Sequence, residues 1–284
     1  KTLVTRQTNR RHFLQAAALG AAGSMVGLDR SAHAAEPKLG KAKFKLGLAS
    51  YTLRKFDLDQ TVAMTAQLGL THIALKSFHL PLDSTPKQIE EAAKKVRDAG
   101  LTLYGAGVIY MRDEQEARQA FEYAKAAGMT TIIGVATYDL LPLVDQLVKQ
   151  YDIRLAIHNH GPTDKIYPAP ATAYEKIQGL DKRIGICNDI GHTTRAGVDP
   201  SVSAEKYFDR LLDVHVKDVT AAEAEGKTVE IGRGVIDIPK FLRTLIRLDY
   251  DGVVSFEYEK DPDNPFAGLA ESVGYVRGVL ASIA

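Results

Sequence analysis

The chain has 284 residues, 45% of them hydrophobic and 25% charged, with a formal net charge of +1. That is the balance of one large globular domain, and the near-neutral charge argues against an electrostatic nucleic-acid binder with a basic face. The single cysteine, Cys187, excludes an intramolecular disulfide framework and a multi-thiolate metal site. Set in the apolar run IGICND, it reads as a buried small hydrophobe.

Residues 1–35 are a different kind of sequence from the rest. The run Asn9-Arg10-Arg11-His12-Phe13-Leu14-Gln15 resembles the twin-arginine export motif, with Gln15 where lysine is common. An Ala/Gly-rich apolar stretch follows, too short and too weakly hydrophobic for a comfortable membrane span. Ala32-His33-Ala34 then supplies an A-x-A cleavage pattern. The order of these features predicts a signal segment over 1–35, read by the twin-arginine export machinery, and a periplasmic or secreted domain over 36–284. A packed amphipathic N-terminal helix is the plainer alternative. No cysteine stands near the cleavage pattern, so no lipid or other stable membrane anchor is expected.

From residue 44 onward, short apolar runs alternate with longer runs patterned at helical spacing. The predicted strands are Phe44–Tyr51, His72–Ser77, Leu101–Val108, Thr131–Val135, Arg154–His158, Ile184–Asp189, Leu211–His215 and Gly252–Glu257. Between them, Leu58 to Leu68 reads as a helix stopped by Gly69. Pro86 to Ala99 reads as another, with proline early and Gly100 at its end. Gly128 closes a third. This alternation predicts a parallel sheet with helical crossovers, closed into a single (β/α)8 TIM barrel. Gly105-Ala106-Gly107 lacks the rest of a nucleotide-binding pattern and marks a close backbone approach. Two long loops, His160–Ala169 and Asp218–Gly234, lie on the side where such barrels carry their active sites.

Four residues follow the last four strand signals: His158 in RLAIHNHG, Asp189 in GICNDIGH, His215 in LLDVHVKD and Glu257 in GVVSFEYE. Each alone has an ordinary reading: a satisfied histidine, a helix cap, or a carboxylate paired with a counter-charge. Together, at the convergent ends of consecutive barrel strands, two imidazoles and two carboxylates make a divalent-metal site.

The motifs that carry these residues resemble the xylose isomerase-like barrels that include sugar phosphate isomerases and epimerases. The matching features are DxxH at Asp189 to His192, HxKD at His215 to Asp218, GRGxxD at Gly232 to Asp237, and the strand-end Glu257. The resemblance implies one divalent ion, manganese first and cobalt, magnesium or zinc next, held by His158, Asp189, His215 and Glu257. It also implies a small carbohydrate substrate and, because barrels of this family often pair, a homo-oligomer. Ketose epimerases of the family carry glutamate where this chain has His158. A metal-bound imidazole has no free electron pair with which to act as a base, so a two-carboxylate epimerase mechanism fits poorly. The HNHG motif instead looks like the branch containing inosose dehydratase-like members.

The expected chemistry is proton removal beside a carbonyl, with the metal stabilising an enediolate. Glu257 is the expected base, with Lys76 or His160 as the second proton handler. His79, His192, Lys217 and Arg233 are the expected substrate contacts. The leading expectation is an isomerase or epimerase of an unphosphorylated sugar, and the alternative is a lyase or dehydratase of keto-sugars, 3-keto-glycosides or cyclitols. An apurinic-type endonuclease would need more histidines and a basic groove. A non-catalytic sugar binder would have little use for four ligands.

Overall fold

The computed structural model describes residues 39–283; the expected signal segment at 1–35 lies outside them. Eight parallel strands close into a barrel: β1 (Lys45–Ala49), β2 (His72–Leu75), β3 (Thr102–Met111), β4 (Thr131–Ala136), β5 (Arg154–His158), β6 (Ile184–Asp189), β7 (Leu211–Val216) and β10 (Val253–Phe256). β10 pairs with β7 on one side and β1 on the other, which closes the circle. A two-stranded antiparallel ribbon, β8 (Asp218–Val219) and β9 (Thr228–Val229), lies between β7 and β10 in the chain.

Helices follow the strands. They are α1 (Leu58–Gln67), α2 (Pro86–Asp98), α3 (Glu114–Ala126), α4 (Leu141–Tyr151), α5 (Pro170–Ile177), α6 (Ile190–Arg195), α7 (Pro200–Lys206), α8 (Ile238–Arg247) and α9 (Phe266–Ile283). Local chemistry sets their ends. Asp57 and Thr85 form capping boxes with Gln60 and Gln88, satisfying backbone N–H groups that the first turn leaves unpaired. Gly69 and Gly100 follow the C-terminal ends of α1 and α2 at φ values of 65° and 76°, where a side chain would be strained. In α8, Phe241, Leu242 and Leu245 are fully buried, and each such side chain contributes roughly 1.5–3 kcal/mol on leaving water.

The predicted strands coincide with the observed ones to within one residue at most ends, and three ends differ by more. β1 stops at Ala49 and turns into a 3-10 helix over Ser50–Leu53. β2 stops at Leu75, because Lys76 O accepts from His79 N in a turn. β3 runs on to Met111 with a register shift between Ala106 and Ile109, and the Gly107–Val108 peptide is cis. The glycine pair is explained by its neighbour: a Cβ on Gly105 would stand 2.7 Å from Thr131 O, and one on Gly107 would run into Ile133 O. Only bare backbone lets β3 approach β4 so closely.

Candidate metal centre and its pocket

Side chains alternate in direction along a strand, so residues two apart share a face. In β7 and just beyond it, this puts Asp213, His215 and Lys217 on the barrel interior. Along β10 and just beyond it the same rule aligns Ser255, Glu257 and Glu259. Register then matches depth, with Asp189 of β6 paired to His215 and His215 to Ser255. The outcome is one cluster. His158 Nε2 and His215 Nδ1 are 3.1 Å apart, His215 Nδ1 and Glu257 Oε2 3.1 Å, and His158 Nε2 and Asp189 Oδ2 3.3 Å. All four side chains are buried, and their potential ligand atoms lie within 4.8 Å of one another.

This donor set suits a divalent cation. His158 Nε2 and His215 Nδ1 face each other at 3.1 Å, so only one proton fits between them. Asp189 Oδ2 is buried without a well-formed hydrogen bond. Its other oxygen accepts from His192 N at 2.8 Å and so caps α6. The cap of α6 thus uses one oxygen of Asp189 and leaves the other as a candidate ligand. Mixed imidazole and carboxylate donors match zinc, manganese, cobalt and iron.

Charge is balanced by a residue whose place in the cluster the motif alone did not reveal. Lys217 is fully buried, with Nζ 2.9 Å from Asp189 Oδ2, 2.8 Å from Glu257 Oε2 and 2.9 Å from Glu259 Oε1. Burial disfavours its charge, but the three carboxylates more than reverse that and keep it an ammonium. Burial likewise works against ionised Asp189 and Glu257, and Lys217 overrides it, so both stay ionised. His158 is held up to about 9: burial opposes its charge, and Asp189 and Glu257 prevail. Gly191 makes room for this lysine, since a Cβ there would run into Lys217 Cγ.

Supporting contacts stiffen the ligands. Asn159 Oδ1 accepts from Asp189 N at 3.0 Å, while its Nδ2 donates to Asp189 O at 3.3 Å and Thr193 Oγ1 at 3.1 Å. Asp213 Oδ2 stands 3.5 Å from His215 Nε2 and also accepts from Cys187 Sγ at 3.4 Å. Burial foremost pushes Asp213 up to about 6. Cys187 is buried as expected, but it serves this carboxylate as well as the packing.

Above the cluster lies a pocket of about 200 Å³ lined by Tyr51, Lys76, Tyr110, His160, His192 and Glu259 together with His158, Val108 and Glu257. Lys76 Nζ donates to Val108 O at 2.7 Å, and burial lowers its pKa against the pull of Glu257. His160 Nε2 is 3.2 Å from Tyr110 Oη; burial, then the charge on His158, push its pKa down to about 3. His192 is pushed down to about 4, by burial first, and its Nδ1 accepts from Arg195 at 3.3 Å. Both histidines are therefore neutral near pH 7.

Two expected substrate contacts stand elsewhere. His79 is buried behind the 3-10 turn, its ring nitrogens engaged by Ser50 at 2.8 Å, Thr61 at 3.0 Å and the carbonyls of Phe56 and Leu53 at 3.1 and 3.2 Å. It braces the turn that carries Tyr51. Arg233 is exposed and forms a forked pair with Glu271 at 2.5 and 2.7 Å. Its motif has a structural explanation: the Asp218 carboxylate accepts from the N–H groups of Gly232, Gly234 and Ile236 at 2.9, 3.0 and 3.2 Å. HxKD and GRGxxD are thus two halves of one loop clasp.

A sequence profile described as xylose isomerase-like TIM barrel matches residues 62–279. The chain belongs to the xylose isomerase-like TIM barrel family. Among its relatives is the inosose dehydratase of Geobacillus kaustophilus, 24% identical over 249 residues, covering 77% of this chain and 78% of that protein. The rhizopine catabolism protein MocC of Rhizobium meliloti is 27% identical over 129 residues, a match spanning 40% of this chain and only 39% of that protein. Among solved structures, the IOLI protein with a bound zinc atom superposes with a TM-score of 0.71 at 16% identity, covering 85% of this chain and 99% of that one. At that identity the likeness speaks to the fold.

Proposed function

We propose that this chain is a divalent-metal-dependent enzyme that removes a proton beside the carbonyl of an unphosphorylated keto-sugar or keto-cyclitol and returns it, as an isomerase or epimerase. The supporting observation is that a four-ligand cluster forms the floor of a pocket whose walls carry Glu257 and Lys76. A divalent ion, manganese in this reading, would be held by His158, Asp189, His215 and Glu257 and would polarise the carbonyl while stabilising enediolate charge.

The protein groups divide the remaining work. Glu257 is kept ionised by Lys217, so it can accept the substrate proton at neutral pH. Its Oε2 faces His215 and Lys217, which leaves Oε1 for the substrate side. Lys76 Nζ spends one N–H on Val108 O, and an ammonium has three to give, so it can donate to a substrate oxygen. His160 and His192, neutral and lining the same space, can accept from or donate to hydroxyls. Export through the twin-arginine pathway, proposed from residues 1–35, agrees with unphosphorylated substrates.

A second reading, elimination of water or another group from the carbon beside the enediolate, is favoured by His158. Its Nε2 points into the cluster, so no carboxylate stands there to serve a two-base epimerisation. The match to inosose dehydratase over 77% of the chain supports the same reading. The test is incubation of manganese-loaded protein with keto-sugars, keto-glycosides and inosose in deuterated water, followed by NMR. Deuterium beside the carbonyl with no group lost supports isomerase or epimerase, and release of water or an aglycone supports lyase. Absence of exchange with every substrate, unchanged by chelation, would sink both.

A further inference from the structure

A second chamber adjoins the pocket. It holds about 250 Å³ and is lined by Ser77, Leu82, Ile109, Arg112, Glu116 and Gln119, sharing Lys76, Val108 and Tyr110 with the first. The first chamber, at about 200 Å³, falls below the roughly 300–1,000 Å³ of sites that enclose a drug-sized ligand. One sugar ring is the scale it suits. Tyr110, 39% exposed, stands at the junction. Resting on the pocket assignment made above, we infer that the second chamber is a subsite for a hydroxylated ring joined to the sugar in the first, so that the substrate is a keto-glycoside of two rings.

The lining has the character that a neutral second ring requires. Leu82, Ile109 and the Tyr110 ring offer apolar surface for C–H faces. Gln119 and Ser77 offer groups for hydroxyls: Gln119 Nε2 donates to Leu82 O at 3.2 Å, which leaves its carbonyl oxygen as an acceptor. The one guanidinium present does not make this a phosphate site. Arg112 Nη1 is paired with Glu116 Oε1 at 3.2 Å, and Glu116 Oε2 also accepts from Arg112 N at 2.7 Å. An anion would have to displace a carboxylate already in place. The chamber also sits on the β2–β3 side of the barrel, across from the β6 and β7 ligands, so a ring there lies away from the metal centre.

The experiment uses metal-loaded full-length protein and two neutral probes, glucose and cellobiose, observed by saturation-transfer NMR. Transfer to both rings of cellobiose is expected. Gln119→Trp, which fills the chamber from a half-buried position on α3, is expected to weaken cellobiose binding at least tenfold and leave glucose unchanged; Arg112→Ala, with thermal melting as a folding control for both variants, should move only the cellobiose signal. Transfer to one ring alone, binding of neither probe, or equal effects on both would overturn the subsite. Exchange in deuterated water separates this from the reaction assignment. A cellobiose signal sensitive to Gln119→Trp, with no exchange of any keto-sugar, upholds the subsite and removes the proposed chemistry. Exchange of a free keto-sugar that is indifferent to a second ring does the reverse.

Discussion

Asp213 Oδ2 lies 3.5 Å from His215 Nε2, across the ring from the nitrogen that faces the other three candidate ligands. A carboxylate behind a metal-binding imidazole fixes its tautomer and orientation. Asp213→Asn is therefore expected to weaken manganese or zinc affinity about 10–100-fold, as measured by calorimetry. An unchanged affinity would reduce Asp213 to a packing residue bonded to Tyr104 at 3.2 Å.

Lys217 neutralises buried carboxylates, and removing one partner from a buried ionic group typically costs about 3–5 kcal/mol. Lys217→Met should accordingly lower the melting temperature of chelated protein sharply. Added divalent ion should recover much of that loss by supplying positive charge to Asp189 and Glu257. A small loss, or one indifferent to metal, would mean that these carboxylates rest in protonated form.

Lys76 touches the pocket but none of the four ligands, so binding and chemistry can be separated there. Lys76→Met should leave metal affinity unchanged while kcat falls about 10²–10⁴-fold, the usual worth of a positioned proton donor. If KM rises with kcat intact, Lys76 only holds substrate.

Glu230 supplies a pH-dependent tie between the clasp loop and the end of β10. It accepts from Lys260 Nζ at 2.7 Å and Tyr258 Oη at 2.9 Å. The Lys260 hydrogen bond leads the groups that pull its pKa down to about 2 from an ordinary 4.5. A depressed carboxylate adds stability above its unfolded pKa and loses it as pH falls through the folded one. Glu230→Gln should thus cost about 1–2 kcal/mol at pH 7. The gap to wild type should narrow from about pH 4.5 to pH 2. A constant gap across that range would assign the effect to packing.

The barrel was legible because its signals are local. An apolar run of five or six residues, a capping residue and a terminal glycine each act within a turn or two of chain, and eight repetitions leave few architectures. His158, Asp189, His215 and Glu257 were legible for a related reason: the strand end is a position that sequence reveals and that the barrel brings to one mouth. Glu259 and Asp213 carried a readable signal as well, each two residues from a ligand and hence on its face, but alternation does not say how deep a side chain sits.

What the sequence determined by itself is the order of strands and helices, the family and the four-residue donor set. Tertiary structure alone decided the partners. His79 and Arg233 carry chemistry suited to substrate binding, yet one is consumed by the hydroxyls and carbonyls of a neighbouring turn and the other by Glu271. Lys217, expected as a substrate contact, is buried as the counter-charge of Asp189, Glu257 and Glu259. The reason is physical: a hydrogen bond or ion pair depends on distances of about 3 Å between residues tens to hundreds of positions apart, and closing the barrel sets those distances.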